Sequence, residues 1–351
     1  MNSRGGSMNS KERCLAAMRG EPVDRVPVFP LLMFLAQDRA GITYRQFVSD
    51  GAALAETELA VRQRFGLDAI TACSDAWRIP ADLGGETVFP ENATPFQEQP
   101  LVRSAADLAR LRQPDPLRRG SRMADRVKAV SIMSKAAGDE CLVLGWVEMP
   151  FAEACSLCGV SDFMMMLTDE PALAHKVLEF CCEANIAFAL AQLEAGAPMV
   201  GAGDAAASLI SPRMYREFAL PYEQRVCEAV HAARGLIKLH ICGNTTALLP
   251  DMVKTGADVF NVDHLVDFRL ASEAYASANI CYKGNLDPVS DFLQATPEEC
   301  QQRALERLCL AEGTRFMLSA GCEVPAGVTD EVLLAFCQAP RIYAADRAAG
   351  R

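Results

Sequence analysis

The sequence of 351 residues has few histidines, few tryptophans and no excess of positive charge. It contains 4 His and 2 Trp, and its 34 Lys and Arg stand against 45 Asp and Glu, which gives a formal net charge of −11. An acidic chain is poorly suited to non-specific binding of nucleic acid or anionic membranes, and we expect neither as a partner. No uninterrupted apolar run reaches about 18 residues, so no transmembrane helix is predicted.

The opening segment, residues 1–10, lacks the apolar core of a signal peptide. We therefore expect a cytoplasmic protein, with residues 1–10 as a disordered tail or a cloning remnant. The chain contains 14 cysteines, which are scattered rather than regularly spaced. This differs from the dense disulfide framework of small secreted domains, so the thiols are predicted to be free. Most of them are interpreted as small core residues.

Short apolar runs alternate with amphipathic segments from about residue 26 onward. Each run ends in Gly, Asp, Pro or His, as is typical of buried parallel strands. The runs begin at Val26, Leu67, Cys141, Pro198, Leu236, Ala257, Asn279 and Arg315. Helix start signals lie between them, for example Thr296 followed by Pro297 and two glutamates. Eight strands alternating with helices predict one (β/α)8 TIM barrel domain over residues 11–345.

The barrel is expected to have an N-terminal extension and an insertion after the second strand, within residues 78–138. The insertion contains a basic cluster that includes Arg122 and Arg126, interpreted as a solvated helix face. An open, doubly wound sheet is the alternative fold. No glycine-rich dinucleotide turn follows the first strand, and this favours the barrel.

Polar residues follow nearly every predicted strand. In a TIM barrel the C-terminal strand ends form one mouth, where the chemistry takes place. The residues are Asp75, Glu148, Asp204, His240, Cys242, Asp263, Asn285, Cys322 and Glu323. Asp and Asn at strand ends also serve as turn and cap residues, so their presence alone does not define a site.

The His240-x-Cys242 pair is the sharpest local signal. Residues two apart on a strand point to the same face, and Cys322 follows the last predicted strand into the same mouth. One His and two Cys form a three-ligand zinc set with an open fourth position, which is the arrangement of catalytic zinc sites. In a chain so rich in cysteine, the spacing also fits a buried histidine and two buried thiols.

Four segments resemble the uroporphyrinogen decarboxylase superfamily, which is built on the (β/α)8 barrel. They are RGEPVDRVPV from Arg19, LISPRMYREFALPYEQRV from Leu209, HICGNTTALLPDMVKTGADVFNVDH from His240 and KGNLDP from Lys283. The likeness spans residues 10–340, and Asp75 matches the aspartate of the decarboxylases. Two features differ from the decarboxylases: the segment from Leu31 to Gln37 has no Arg, and Cys322 stands where they have a His.

The combination of His240, Cys242 and Cys322 resembles the zinc-dependent corrinoid methyltransferases, another branch of the superfamily. The resemblance implies that these three residues bind Zn²⁺. It further implies an enzyme that transfers a methyl group from methylcobalamin to a small thiol such as coenzyme M. Homocysteine, tetrahydrofolate and the reverse direction of transfer stay open. The chain has no Asp-x-His-x-x-Gly pattern for holding the corrinoid, so a separate corrinoid-carrying protein is the expected partner.

The predicted catalytic residues are Asp75, Glu148 and Asp204. Glu148 is the first candidate for a fourth zinc ligand, with Glu323 second and water as the alternative. Asp204 and Asp263 are expected to orient His240 or to line the pocket. Two other functions stay open, namely a decarboxylase-like lyase and a non-catalytic member that binds a corrinoid or tetrapyrrole.

Overall fold

The computed structural model describes residues 8–350, in which a curled parallel sheet is surrounded by helices. Seven strands follow one another in chain order around the sheet, and two short strands form a separate antiparallel hairpin. The strands are β1 (Ala69–Thr71), the hairpin strands β2 (Thr87–Val88) and β3 (Phe96–Gln97), then β4 (Leu142–Glu148), β5 (Met199–Gly203), β6 (Leu236–His240), β7 (Val259–Val262), β8 (Cys281–Leu286) and β9 (Phe316–Ala320).

The helices pack outside the sheet and across its N-terminal end. They are α1 (Ser10–Arg19), α2 (Phe34–Ala40), α3 (Tyr44–Ser49), α4 (Gly51–Phe65), α5 (Arg78–Asp82), α6 (Ala105–Arg110), α7 (Arg122–Ala137), α8 (Pro150–Cys158), α9 (Val160–Asp169), α10 (Pro171–Glu194), α11 (Pro212–Met214), α12 (Leu220–Ala232), α13 (Leu249–Met252), α14 (Phe268–Ser277), α15 (Pro297–Leu310) and α16 (Asp330–Ala348). The capping residues follow the predicted pattern, since Thr296 caps α15 through a capping box.

The predicted first strand, beginning at Val26, closes the barrel without forming a regular strand. Phe29 N donates to Leu318 O over 2.9 Å, and Asp68 N donates to Val28 O over 3.0 Å, so the segment bridges β9 and the start of β1. Pro27 and Pro30 have no N–H group to donate to a ladder, which explains why only isolated bridges form. The predicted barrel fold is therefore confirmed, with seven regular strands and one irregular closing segment.

The N-terminal extension closes the bottom of the barrel. Asn9 caps α1, whose Cys14, Ala17 and Met18 pack against the first residues of the strands in one apolar cluster. Residues 1–7 of the expected tail lie outside the described residues. The insertion after β1 contains α5, the β2–β3 hairpin, α6 and α7.

All fourteen cysteines are free, and eleven of them are buried. Cys242 and Cys322 are partly buried, and Cys309 is exposed. The buried majority behaves as the small core residues that the sequence predicts. In the part of the chain from residue 8 to residue 350, no single helix is long and apolar enough to span a membrane. Helices α8 and α9 taken together have the length and composition of a membrane span, but the chain bends by 106° between them.

Asp68 connects the closing segment to the barrel. Its buried carboxylate accepts hydrogen bonds from Arg13 and Arg25 over 2.7–3.0 Å and from Val28 N over 2.7 Å. We predict that Asp68→Ala lowers the free energy of unfolding by about 3–5 kcal/mol, because two largely buried guanidinium groups lose their shared partner. Urea denaturation measures the change. Glu21→Ala removes an exposed ion pair with Arg19 and is the control, for which little change is expected. Equal midpoints for the two variants would contradict this role of Asp68.

Candidate metal centre at the barrel mouth

The interior face of the sheet places the predicted metal ligands at one end. Along β6, Leu236, Lys238 and His240 alternate toward the interior, while Ile237 and Leu239 face the helices. The register pairs Gly203 with His240 and His240 with Asn261, so the C-terminal ends of β5, β6 and β7 lie side by side.

His240, Cys242 and Cys322 converge as the sequence predicts. The Cys242 Sγ atom lies 3.0 Å from His240 Nε2 and 3.7 Å from Cys322 Sγ. With an oxygen of Asp263, one ligand atom from each of the four residues lies within 4.8 Å of all the others. The two cysteines are 80 positions apart in the chain, so the contact depends on the fold and not on local sequence.

The histidine is held in the tautomer that a metal ligand needs. His240 Nδ1 lies 3.1 Å from the main-chain oxygen of Asn261. A carbonyl oxygen can only accept, so Nδ1 must carry the proton. In the neutral ring, Nε2 then presents its lone pair to the sulfur atoms. Such a hydrogen bond fixes ring orientation and tautomer in metal-binding histidines.

A close backbone approach at Gly321 brings Cys322 to the other ligands. A Cβ atom on Gly321 would lie 2.4 Å from His264 N, closer than any side chain permits. The Asn261 side chain donates to Gly321 O over 2.9 Å. Asn261 therefore holds both ligand-bearing segments, His240 through its main chain and the Cys322 segment through its amide.

Asp263 supplies the carboxylate closest to the three ligands. Its Oδ2 accepts from Gly243 N and its Oδ1 from Leu265 N, each over 2.9 Å. Of the described residues, it is Asp263 and not Glu148 that completes the four-residue group. Sequence reasoning placed Asp263 around the site but gave the fourth position to Glu148. Which carboxylate lies nearest to these three side chains depends on the packing of the strand ends and cannot be read from the sequence.

The two sulfurs share one proton. The hydrogen bond from the Cys242 thiol lowers the pKa of Cys322, while the same contact raises the pKa of Cys242. A thiolate is the form of cysteine that binds metal.

Glu148 lies at the end of β4, partly buried, and its Oε1 accepts from Trp146 Nε1 over 3.0 Å. Burial raises the pKa of Glu148 to about 7 against the effect of this hydrogen bond. Glu323, the second candidate, accepts from Phe34 N over 2.6 Å, and burial likewise raises its pKa to about 7. Both carboxyl groups can therefore hold or release a proton near neutral pH.

Two buried lysines in the barrel interior were missed by sequence reasoning. Lys238 is 2 % exposed and Lys283 is 1 % exposed. Lys283 Nζ donates to Phe29 O over 2.6 Å and lies 3.2 Å from Ser319 Oγ. Lys238 Nζ lies 4.6 Å from the centre of the Trp146 ring. Burial lowers the pKa of Lys238 to about 8. The strand periodicity was the signal that could have found them, because Lys238 is two residues before His240.

Asp75 lies in a buried arginine cluster. Arg122 Nη1 pairs with Asp75 Oδ1 over 2.8 Å, while Arg78 Nε and Arg126 Nη2 lie 3.7 and 3.8 Å from Oδ2. Burial raises the pKa of Asp75, but the charges of Arg122 and Arg78 outweigh it and hold the pKa well below its usual range. The interpretation of Arg122 and Arg126 as a solvated face is wrong, because both turn inward to this carboxylate. Asp75 as a catalytic residue stays a prediction.

Asp204 is fully buried at the end of β5, next to Glu223. Burial raises the pKa of Asp204 first, and the Glu223 charge raises it further. The Asn261 carbonyl, and neither Asp204 nor Asp263, accepts the hydrogen bond from His240 Nδ1, so the expectation that these carboxylates orient the ring is wrong. Asp204 as a catalytic or pocket-lining residue stays a prediction. A main-chain oxygen gives no signal in a sequence, so this partner could not have been identified beforehand.

The sequence pattern of the uroporphyrinogen decarboxylase (URO-D) family matches residues 9–343. The chain belongs to this family. A relative from Methanosarcina mazei, the methylcobamide:CoM methyltransferase MtbA, is 31% identical over 326 residues, covering 90% of this chain and 92% of that protein. A uroporphyrinogen decarboxylase from Xanthomonas axonopodis pv. citri is 30% identical over 308 residues, covering 83% of this chain and 85% of that protein.

The solved structure of a methyltransferase from Methanosarcina mazei superposes with a TM-score of 0.87 at 24% identity, covering 96% of this chain and 99% of that one. This likeness shows the fold. The family and the barrel predicted from the sequence are therefore confirmed, and the 31% identical relative supports the predicted methyltransferase class.

The protonation of Glu148 yields a prediction on stability. Its folded-state pKa of about 7 lies above its ordinary value of 4.5, so the folded protein holds a proton that the unfolded chain has released. This contribution is fully present below the unfolded value and is lost as the pH rises through the folded value. We expect the free energy of unfolding of wild type, minus that of Glu148→Gln, to fall by about 1–3 kcal/mol between about pH 5 and pH 8.

Urea denaturation across this pH range measures the difference. The matched control is Glu140→Gln, because the Glu140 side chain is 71% exposed. The difference between wild type and this control should stay constant with pH. A constant difference for Glu148→Gln as well would contradict the raised pKa.

Proposed function

We propose that this protein is a zinc-dependent methyltransferase that moves a methyl group from a protein-bound methyl-corrinoid to a small thiol. The observation that carries the proposal is the convergence of His240 Nε2 with the sulfurs of Cys242 and Cys322 at the barrel mouth. The 31% identical relative named as a methylcobamide:CoM methyltransferase supports the corrinoid as donor and coenzyme M as one acceptor.

The donor set fits zinc on chemical grounds. One imidazole nitrogen with its lone pair directed at two thiol sulfurs is a three-ligand set of borderline-soft donors, and Asp263 offers a fourth oxygen. When bound there, zinc would hold the acceptor sulfur and favour its thiolate form at neutral pH. The candidate ligands from this chain are therefore His240, Cys242 and Cys322, with Asp263 as the exchangeable fourth.

The remaining residues have roles that follow from their positions. Asn261 fixes the orientation of His240 and the approach of Cys322. Glu148, as an acceptor of protons near neutral pH, is suited to receive the proton that the acceptor thiol releases. Leu31, Cys73 and Trp146 form an apolar cluster, and Leu31 is bridged to Glu323 directly after Cys322. This apolar cluster would exclude water from the position at which the methyl group is transferred.

The zinc proposal predicts the outcome of two single substitutions. Wild-type protein should contain one zinc per chain and demethylate methylcobalamin in the presence of a thiol, which absorbance follows. Cys242→Ser and Cys322→Ser should each lose most of the zinc and the activity, because a hydroxyl is a poor zinc ligand. Cys309→Ser is the matched control, since Cys309 is exposed on α15 and should leave both unchanged.

Elemental analysis of the purified proteins measures the metal. Wild-type protein without zinc, or a Cys322→Ser variant with unchanged zinc, would overturn the proposed function. A panel of thiols, including coenzyme M and homocysteine, then identifies the acceptor.

The structure disfavours the alternative function, a decarboxylase-like lyase. Arg39 pairs with Asp330 over 2.6 Å, and Arg78 is 2 % exposed with its charge directed to Asp75 and Asp125. Neither supplies a free cation next to the apolar segment from Leu31 to Gln37.

We predict that anaerobic incubation with uroporphyrinogen yields no partly decarboxylated products. Each substrate carboxylate buried without a partner costs several kcal/mol, which prevents productive binding. Chromatography of the oxidised porphyrins measures the products, with a uroporphyrinogen decarboxylase as positive control. Products formed at enzymatic rates would overturn the methyltransferase assignment whatever the zinc content.

A further inference from the structure

A cavity of about 780 Å³ lies at the opposite end of the barrel from the candidate metal centre. Leu67 and Glu140, which line it, come directly before β1 and β4, whereas the metal ligands follow the last residues of β6 and β9. Parallel strands have their N-terminal ends at one edge of the sheet and their C-terminal ends at the other. The cavity is therefore separate from the mouth, and the proposed function uses none of its residues.

Arginine side chains dominate the polar part of the lining. Arg13 and Arg25, from the N-terminal extension and the closing segment, line the cavity together with Arg62 at the end of α4 and Arg341 in α16. Arg13 Nη1 and Arg25 Nη2 donate to the same oxygen, Asp68 Oδ1, over 2.7 and 3.0 Å. Two positive charges are thus held side by side at the base of the cavity.

The buried thiol of Cys337 shows that Arg341 lies near this pair. Burial and the charge of Asp68 raise the pKa of Cys337 well above its usual range, and the charges of Arg25 and Arg341 act against them. Both guanidinium groups are therefore close to one thiol. The positive charge of Arg341 adds to that of the Arg13 and Arg25 pair, although Arg341 is more than 300 residues away from both in the chain.

The carboxylates around the cavity do not balance the four arginines. They are three, with Asp24 and Glu140 in the lining and Asp68 behind it. Arg62 Nη2 lies 3.2 Å from Glu140 Oε2, but the Glu140 side chain is 71% exposed, so water screens this pair. Within residues 8–350, Arg341 has no carboxylate oxygen within 4.0 Å and its side chain makes no hydrogen bond. In a chain with a formal net charge of −11, this cavity has an excess of positive charge.

The chemistry of the lining indicates the class of ligand. A guanidinium group presents parallel N–H donors that match two oxygens of a phosphate or a carboxylate. Several such groups around one space suit a phosphate group, which has more oxygens and more charge than a single carboxylate. Leu67 and Ala344 give the cavity an apolar side, and its volume is that of sites for small organic molecules.

We propose that this cavity binds a phosphate group, as the free ion or as part of a small phosphorylated molecule. Arg62 and Arg341 supply the direct contacts, and Arg13 and Arg25 supply fixed positive charge behind them. The bound phosphate connects α4 and α16 with the N-terminal extension and stabilises the folded protein, because the unfolded chain has no such site. This proposal is independent of the proposed function, since no candidate metal ligand takes part in it.

The test is calorimetric titration of the purified protein with inorganic phosphate at constant ionic strength. Wild type should bind one phosphate per chain, and Arg341→Gln and Arg62→Gln should each raise the Kd about tenfold, as expected for the loss of a charged hydrogen-bond donor. Both variants keep the pairs of Arg13 and Arg25 with Asp68, so their folding is unaffected. Acetate should bind wild type at least about tenfold more weakly, because it has a single charge and two oxygens.

Two control variants separate this cavity from other anion sites. Arg347→Gln changes an arginine of the same helix that pairs with Glu312 outside the cavity, and it should bind phosphate as wild type does. Cys322→Ser should also bind phosphate as wild type does, because the candidate metal centre is at the other end of the barrel. Thermal unfolding gives an independent readout: phosphate should raise the midpoint of wild type more than that of Arg341→Gln.

Titration with glycerol 3-phosphate and with adenosine monophosphate distinguishes the two sources of the phosphate group. A phosphorylated molecule as the ligand predicts that one of these binds more tightly than inorganic phosphate, because the apolar side of the cavity is then filled. The free ion as the ligand predicts that neither does.

Three outcomes overturn the proposal. They are a wild type that does not bind phosphate at millimolar concentration, an unchanged Kd in both arginine variants, and acetate binding as tight as that of phosphate. Failure of the proposed function is recognised separately, since wild type without zinc that binds phosphate with the expected dependence on Arg341 overturns the methyltransferase proposal and leaves this site in place.

Discussion

The close backbone contact at Gly321 is the constraint on which the site depends. The carboxyl ends of parallel strands share one edge of the sheet, but β6 and β9 are separated by two strands, so their ends need a further device to meet. At Gly321 the chain passes so near His264 N that a side chain would not fit. The Asn261 amide fixes this approach by donating to Gly321 O, and Cys322 follows directly. Asn261 also orients His240 through its main-chain oxygen, so one asparagine holds both His240 and the segment that carries Cys322.

Buried charge is organised into two separate systems around this site. On the side of β1 and α7, three guanidinium groups surround Asp75 and keep it ionised, which ties the insertion to the barrel wall. In the barrel interior, Lys238 and Lys283 are buried without any carboxylate within ion-pair distance among residues 8–350, and burial lowers the pKa of both. In the first system the arginines have carboxylate partners, Asp75 for all three and also Asp125 for Arg78, and the system has the character of a structural network.

Much of the fold could be predicted from the sequence, because its signals are local. Buried parallel strands appear as short apolar runs, and a cap such as Thr296 marks where a helix begins. The segment after Val26 shows the limit, since its apolar pattern is that of a strand while Pro27 and Pro30 prevent a regular ladder.

The convergence of the candidate metal ligands could be predicted, because His240 and Cys242 are two residues apart at a strand end and Cys322 follows the last predicted strand into the same mouth. The partners of these ligands could not, since the Asn261 carbonyl and the nearness of Asp263 depend on three-dimensional packing. Arg122 and Arg126 were interpreted as solvated because charged helix residues usually are, and a buried aspartate opposite them leaves no mark in the local pattern.

A count of acidic residues at the strand ends suggests a mouth that would repel an anionic acceptor, yet the structure indicates otherwise. Burial raises the pKa values of Glu148 and Glu323 to about 7, so each is partly protonated at neutral pH. The buried neighbours Asp204 and Glu223 also have raised pKa values, chiefly through burial. Asp75 remains ionised but is surrounded by arginines. The negative charge at the barrel mouth is therefore smaller than the residue count implies. A net acidic protein can in this way present a local environment that accepts a further anion, because burial, and not composition, determines which groups are charged.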